Sequence, residues 1–389
     1  MHCGPSLPFL WAMNVTVGGR PRHYRTVTFD RCANTVCLID QRLLPHRLAL
    51  VRTQDFKQTA AAIREMIVRG APAIAATAAY GLAQGSLAFR GSDWRRFARH
   101  VETVMRTLAA ARPTAVDPLN AMRQVRAAMR AGRTVAEQQA LAVAAAEEFA
   151  NQSVSECEAI GRHGAGLIRD GMRILTHCNA GWLACVDIGT ATAPLYMAQQ
   201  QGRKFHVFCD ETRPRAQGAS LTAWELAQQG IAHQVIADSA AGHLMQRGEI
   251  DLVLVGSDRT LGRTGEVANK IGTYTKAVLA HRHGIPFYVA LPLSTFDWEL
   301  ASGLDIPIEE RDPAEVLGAW GVVAEPGSDR PLRRPGRRVY VRVANPTSGA
   351  RNPGFDITPP ELVTGLITPV GIFKPTDLWR CRERLGWRG

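Results

Sequence analysis

The feature that most constrains the fold is a change of rhythm after Asp170. Short apolar runs at 172–177, 204–209, 233–237, 251–256 and 286–291 alternate with helical patterns near 188–200, 218–229, 239–247 and 268–283. Each run is short and bounded by glycine or polar residues, as a strand is. Strands that alternate with helices pair in parallel, with helices on both faces of the sheet. Residues 170–389 therefore read as a Rossmann-like, doubly wound α/β domain with its ligand crevice beyond the carboxyl ends of the strands.

The preceding stretch has a different pattern. Residues 24–44 alternate like strands (Thr26, Val27, Phe29, then Val36, Leu38, Ile39) and stop at Pro45. From Phe56 to Arg169 the chain is alanine-rich, with apolar positions three and four apart. Helices are predicted over 56–68, 72–85, 93–111, 118–131 and 134–169, with a break expected in the last. Residues 24–169 thus form a mainly helical N-terminal domain with a small β element, behind an extension over 1–23. Residues 321–352, rich in Gly, Pro and Arg, read as a long connection, followed by a capping element and a helix near 360–367.

Composition narrows the function. The 389 residues admit two domains, and no apolar run reaches the roughly 18 residues of a membrane span. The apolar stretch from Ser6 to Met13 is short and lacks a preceding basic segment, so it makes a poor signal peptide, and Met13 is an alternative start. Eight cysteines are scattered without a Cys-x-x-Cys pair or zinc-ligand spacing. They point to a reducing cytoplasm with neither a disulfide scaffold nor a metal. The net charge of +11 fits anionic partners. Its densest run, Arg330–Arg342, is broken by Pro and Gly like a solvated loop, so the expected partner is a small anion, with neither nucleic acid nor membrane.

Three strand ends carry chemistry: Thr176-His177-Cys178-Asn179-Ala180-Gly181, Asp210-Glu211-Thr212-Arg213 and Gly256-Ser257-Asp258-Arg259. Parallel strands deliver them to one edge of the sheet. Singly, a strand-end Asp or Asn also reads as the cap of the next helix; three together favour a site. A thiol at Cys178 relays a proton or supports a transition state where positive charge lowers its pKa. Asp258 follows an apolar strand, and burial there keeps a carboxyl protonated as an acid. Arg69-Gly70-Ala71-Pro72 has the makings of an anion cradle at a helix N-terminus, although chemistry alone favours an ordinary helix–helix turn. Arg112 and the pair Asn269-Lys270 are further phosphate donors.

Long strings extend these points: IDQRLLP (39–45), IREMIVRGAPAIA (63–75), RPTAV (112–116), THCNAG (176–181), DETRPRAQGASLTAWEL (210–226), EVANKIGTYTKAV (266–278) and NPGFDITPPEL (352–362). Through them the chain, from about Tyr24 to Lys374, resembles the 5-methylthioribose-1-phosphate isomerases. Their superfamily also holds ribose-1,5-bisphosphate isomerases and regulatory subunits of the translation-initiation exchange factor. The resemblance implies an aldose–ketose isomerase of methionine salvage, with a proton donor at Asp258 and an essential thiol at Cys178. It implies substrate contacts at Arg69, Gly70, Ala71, Arg112, Gln217, Asn269 and Lys270, a homodimer, and no metal or organic cofactor.

Four features depart from the family pattern. Ser220 stands where the family has a long cation, and Asp117 where it has asparagine. The loop from Asp258 to Lys270 is one residue longer, and the Arg-rich 326–351 insertion is atypical. These leave open an isomerase of another ribose 1-phosphate derivative, such as 5-deoxyribose 1-phosphate or ribose 1,5-bisphosphate, or a non-catalytic regulatory protein. Hydride shift and enediol routes also both remain open.

Overall fold

The structure, a computed structural model, describes residues 13–112, 116–324 and 337–387. Residues 1–12 of the extension, Pro113, Thr114 and Ala115 of the RPTAV string, and residues 325–336 of the Arg-rich insertion lie outside them.

The N-terminal half opens with a hairpin of β1 (Asn14–Val17) and β2 (Arg20–His23). It is followed by an antiparallel sheet of β3 (Val27–Asp30), β4 (Thr35–Ile39) and β5 (Leu50–Thr53). Five helices follow: α1 (Phe56–Arg64), α2 (Ala71–Ala88), α3 (Trp94–Ala109), α4 (Val116–Met129) and α5 (Val135–Ala165). Helix α2 is alanine-rich and apolar all round, so it occupies the centre and packs against the other four. The break expected in α5 does not occur. The helix has no proline, and a capping box between Thr134 and Glu137 closes its first turn. It runs for 31 residues, with α2 and α4 on one side and the sheet of the other half on the other.

That sheet contains β6 (Arg173–Thr176), β7 (His206–Asp210), β8 (His233–Ile236), β9 (Leu252–Val255), β12 (Phe287–Ala290), β17 (Gly365–Thr368) and β18 (Gly371–Phe373), in the order β18-β17-β12-β9-β6-β7-β8. All but the edge strand β18 are parallel. Strands β6, β7 and β8 advance one way and β9, β12 and β17 the other, so the topological switch falls between β6 and β9. Successive residues feed opposite cores: Ile174, Leu252 and Leu254 join the core shared with the helical half, and Leu175, Val253 and Val255 the other. Helices α6 (Ala193–Gln200), α7 (Ala223–Gln228), α8 (Ala240–Gln246) and α9 (Thr273–Arg282) connect the strands.

Several expectations need correction. The helix placed over 268–283 begins only at Thr273. Its first residues belong to β11 (Val267–Lys270), fully buried between β10 (Arg259–Leu261) and β16 (Phe355–Thr358) in a second sheet closed by β13 (Phe296–Asp297). The helix near 360–367 is a short turn followed by β17, whose Gly-Leu-Ile-Thr is buried on both faces as an added parallel strand. The connection over 321–352 contains a hairpin of β14 (Gly318–Val322) and β15 (Arg338–Arg342). Part of the 1–23 extension is ordered, and its hairpin is tied to the α7 region through Gln228 and Gln229. No helix among the described residues is long and apolar enough to cross a membrane.

Candidate active site

Cys178 follows β6 and Asp258 follows β9, the two strands that flank the switch point. Both line one small recess of about 30 Å³, together with Arg69, Gly70, Ala71 and Asn269. Gly70, Ala71 and Asp258 also line an adjoining chamber of about 660 Å³, walled by Arg112, Asp117, Arg259 and apolar groups including Ile74, Phe296 and Trp298.

The thiol is held by over-determined backbone. Cys178 has φ of 65°, a left-handed conformation costly for a residue with a Cβ. Its N–H donates to Thr212 Oγ1 at 2.8 Å, and its carbonyl accepts from Thr222 Oγ1 at 2.7 Å. The next turn closes on Glu225, a buried carboxylate that accepts from Asn179 Nδ2, Trp182 N, Leu183 N and the Tyr196 hydroxyl, each at 2.9 Å. Burial raises the Glu225 carboxyl, and these hydrogen bonds oppose it. Gly181 is required there, because a Cβ would collide with the Glu225 carboxylate.

The preceding residue is fixed as firmly. His177 Nδ1 lies 2.8 Å from Asp210 Oδ2, and its Nε2 lies 2.8 Å from the Ile271 carbonyl. Both ring nitrogens thus face acceptors. Asp210, Asp238 and His177 bring three ligand-type groups together. The Lys276 ammonium stands 3.2 Å from Asp210, so the protein itself supplies the positive charge this cluster calls for.

The helical half contributes cations. Arg69 Nη1 donates to both the carbonyl and the Oδ1 of Asn179, at 2.9 and 2.7 Å, which joins the two halves beside the thiol. Gly70 caps α2 at φ of 91°, with Pro72 in the first turn. The α2 amide end is therefore directed at the recess and chamber, as an anion requires. Arg112 ion-pairs with Glu309 at 3.5 Å and keeps a buried Nε without a partner. On β11, Asn269 donates to Thr273 Oγ1, and Lys270 donates to the Gly354 carbonyl at 2.8 Å above the Phe355 ring. Burial lowers the Lys270 pKa, and the nearby Cys178 and Asp258 charges pull it back up.

These charges define Asp258. Burial raises its pKa, and Lys270, Arg69 and Arg112 pull it down without overcoming that rise. The carboxyl is half-buried and opens into the cavity.

Of the sequence-predicted residues, Arg69, Gly70, Ala71 and Asn269 meet Cys178 and Asp258 at the recess, with Arg112 in the chamber and Lys270 coupled by charge. Gln217 lies elsewhere. It lines a separate cavity of about 320 Å³ with Ser220, and Arg69 is the member of the predicted set that reaches both places. Ser220 Oγ donates to the Ala216 carbonyl, so the missing cation belongs to that second cavity. Sequence reasoning passed over Glu225, Thr212, Thr222 and the His177–Asp210 pair. All lie in or beside the strand-end strings, but their role is to shape the loop.

A model of the initiation factor 2 subunit family matches residues 67–375. A methylthioribose-1-phosphate isomerase of Methylorubrum populi is 48% identical over 369 residues, spanning 93% of this chain and 96% of the relative. One from Acidiphilium cryptum is 49% identical over 366 residues, 92% of this chain and 94% of its own. Among solved structures, a 5-methylthioribose 1-phosphate isomerase from Pyrococcus horikoshii is similar with a TM-score of 0.79 and 38% identity, over 93% of this chain and 95% of that one. A translation initiation factor eIF-2B delta subunit from A. fulgidus matches at 0.77 and 38%, over 94% and 100%.

Proposed function

This chain belongs to the initiation factor 2 subunit family, and we propose that it is the aldose–ketose isomerase that converts 5-methylthioribose 1-phosphate to 5-methylthioribulose 1-phosphate. One observation carries the reading: a thiol and a carboxylic acid from the two strands flanking the switch point line the same recess, beside a helix N-terminus and buried cations.

The chemistry requires these groups. A phosphate on the anomeric oxygen locks the furanose, so no free aldehyde forms. An acid must protonate the ring oxygen as its bond to C1 breaks, and Asp258 is enclosed so as to hold that proton. The hydrogen on C2 then moves to C1, and the C2 hydroxyl loses its proton as the ketone forms. In this reading Cys178 acts at those carbons, whether as a proton relay or as support for a shifting hydride. Arg69, the α2 amide end at Gly70 and Ala71, Arg112 and Lys270 would hold the phosphate by preorganised charge.

Two neighbouring readings fit less well. Ribose 1,5-bisphosphate needs a second anion site. The large chamber presents apolar side chains with the acids Asp117, Asp297 and Glu299; of its arginines, Arg112 is assigned to the first phosphate, Arg259 is paired with Asp297, and Arg123 lies on the exposed face of α4. A non-catalytic subunit has no need of a paired thiol and acid. We read the working form as a cytoplasmic homodimer, which sedimentation velocity tests.

The test incubates the protein with methylthioribose 1-phosphate, 5-deoxyribose 1-phosphate and ribose 1,5-bisphosphate and follows ketose formation. Methylthioribose 1-phosphate is expected to turn over fastest. Cys178→Ser and Asp258→Asn are each expected to lose about 10²–10⁴ in kcat while still binding substrate. A near-normal rate in either variant removes that residue from the mechanism.

A further inference from the structure

The string IPIEERDP (306–313) lines the large chamber with Ile306 and Pro307, and its Glu309 meets one of the cations assigned to the phosphate. Glu309 Oε2 lies between two guanidiniums, 3.5 Å from Arg112 Nη2 and 3.6 Å from Arg311 Nη1. Both separations exceed the about 2.7–2.9 Å of a formed N–H···O bond between charged groups. The oxygen is sealed from water and makes no hydrogen bond. Arg112 is short of a partner too, since its Nε is buried without one. A buried donor group and a buried acceptor are thus held together by charge alone, each unsatisfied. Arg311 differs. Its Nε and Nη2 donate to Glu315 at 3.0 and 3.1 Å, which fixes it in place.

We propose that Glu309 is a positioning residue that stands in for the substrate phosphate: it holds Arg112 as an internal counter-ion in the ligand-free protein and yields it to the phosphate on binding. This rests on the reading of Arg112 as a phosphate ligand. The neighbours suit such an exchange. Burial lowers the Arg112 pKa, and the Glu309 charge is the first to oppose it, so the free guanidinium needs this carboxylate. When Arg112 turns to an incoming anion, its Nε gains the acceptor it lacks. Glu309 then keeps a counter-ion in Arg311, which its bonds to Glu315 hold back. The Glu309 main chain is tied down as well. Its carbonyl accepts from Gly354 N at 2.8 Å, and the Gly354 carbonyl accepts from Lys270 Nζ at 2.8 Å. One residue therefore places two phosphate cations, Arg112 through its side chain and Lys270 through its main chain.

Internal competition has a sign that a structural support lacks. If Arg112 is free of Glu309 for only a fraction of the time, the apparent affinity for phosphate is reduced by that fraction. Removing the Glu309 charge lifts this penalty, so binding tightens. Loss of a scaffold group loosens it.

The experiment titrates inorganic phosphate by calorimetry into the wild type, Glu309→Gln, Arg112→Ala and the double variant, with folding checked by circular dichroism. The KM for methylthioribose 1-phosphate is measured alongside. Glu309→Gln should lower the phosphate Kd and the KM together, by about tenfold for a competent fraction of about one tenth. In the Arg112→Ala background the same substitution should leave both unchanged. An unchanged or raised Kd in Glu309→Gln would overturn the proposal. So would a tightening that persists without Arg112, which is general charge and not exchange. If Gln fails to fold, Glu309→Asp decides, because it withdraws the carboxylate from Arg112 and should tighten binding in the same sense. Wild-type phosphate affinity in Arg112→Ala sinks the underlying assignment of Arg112 itself, whatever Glu309 does.

Discussion

Gly70 links chain conformation to the proposed anion site at a single residue. Its φ of 91° disfavours any side chain, and a Cβ there would approach the backbone of Ala184 to 2.5 Å. Ala184 lies in the turn that follows Cys178, so α2 cannot shift to relieve the clash without moving the recess. Gly70→Ala is therefore expected to cost about 1–3 kcal/mol of stability and to raise KM for the sugar phosphate. Urea melts and initial rates check both. An alanine variant with wild-type stability would show that the approach is looser than the structure describes. The contrast with Glu225 shows what can be read from a sequence. Glycine beside arginine and proline announces a turn, whereas a glutamate within Thr-Ala-Trp-Glu-Leu looks like any helical surface residue. Only the fold reveals that four donors converge on it.

At the scale of elements, β6, β7, β9 and β12 of the main sheet were legible because each is a short, largely buried apolar run, whereas β17 was read as part of a helix. The errors fell where a strand borrows helical composition. Val267–Lys270 precedes a true helix without a break in polarity, and only pairing with β16 makes it extended. Helix α10 (Ala314–Leu317) and the β14–β15 hairpin were invisible because charge, not apolar pattern, anchors them. Glu315 accepts from Arg311 and Arg215, which ties this segment to the loop after β7. Burial raises its carboxyl, but the hydrogen bonds and charges of Arg311 and Arg215 prevail and hold it at about 2, below the ordinary 4.5. A depressed folded pKa contributes stability above about 4.5 that is lost as pH falls towards about 2. After discounting for partial exposure this amounts to about 1–2 kcal/mol. Glu315→Gln should lose that amount at pH 7 and flatten the dependence between those limits. Denaturant melts at pH 7 and pH 3 measure it, and an unchanged pH dependence would remove Glu315 from the acid response.

For the whole molecule, the site is assembled across both halves. The main sheet supplies Cys178 and Asp258, the second sheet places Lys270 close enough to act on them by charge, and the helical half supplies Arg69, Gly70, Arg112 and Asp117. The sheet's share was legible because parallel strands must deliver their ends to one edge. Nothing in chain order places Arg69 or Arg112 against that edge. Their convergence is a packing outcome, set by α5 lying between the halves and by the Arg69–Asn179 hydrogen bonds. Family likeness named them before the packing could. Gln217, also named by likeness, stands in the separate 320 Å³ cavity, where a ligand held by Arg69 would have to reach it. A sugar phosphate that bridges the halves stabilises the folded chain as a unit, by about 2.7 kcal/mol at a hundredfold excess over Kd. Urea unfolding with the product ketose phosphate should then move tryptophan fluorescence, reporting Trp94 and Trp182 from the two halves, by the same increment with an unchanged slope. Arg69→Ala should abolish most of that increment without dividing the transition. A shift confined to the sheet-bearing half would mean that the ligand is held there alone, and the helical half would lose its assigned part in binding.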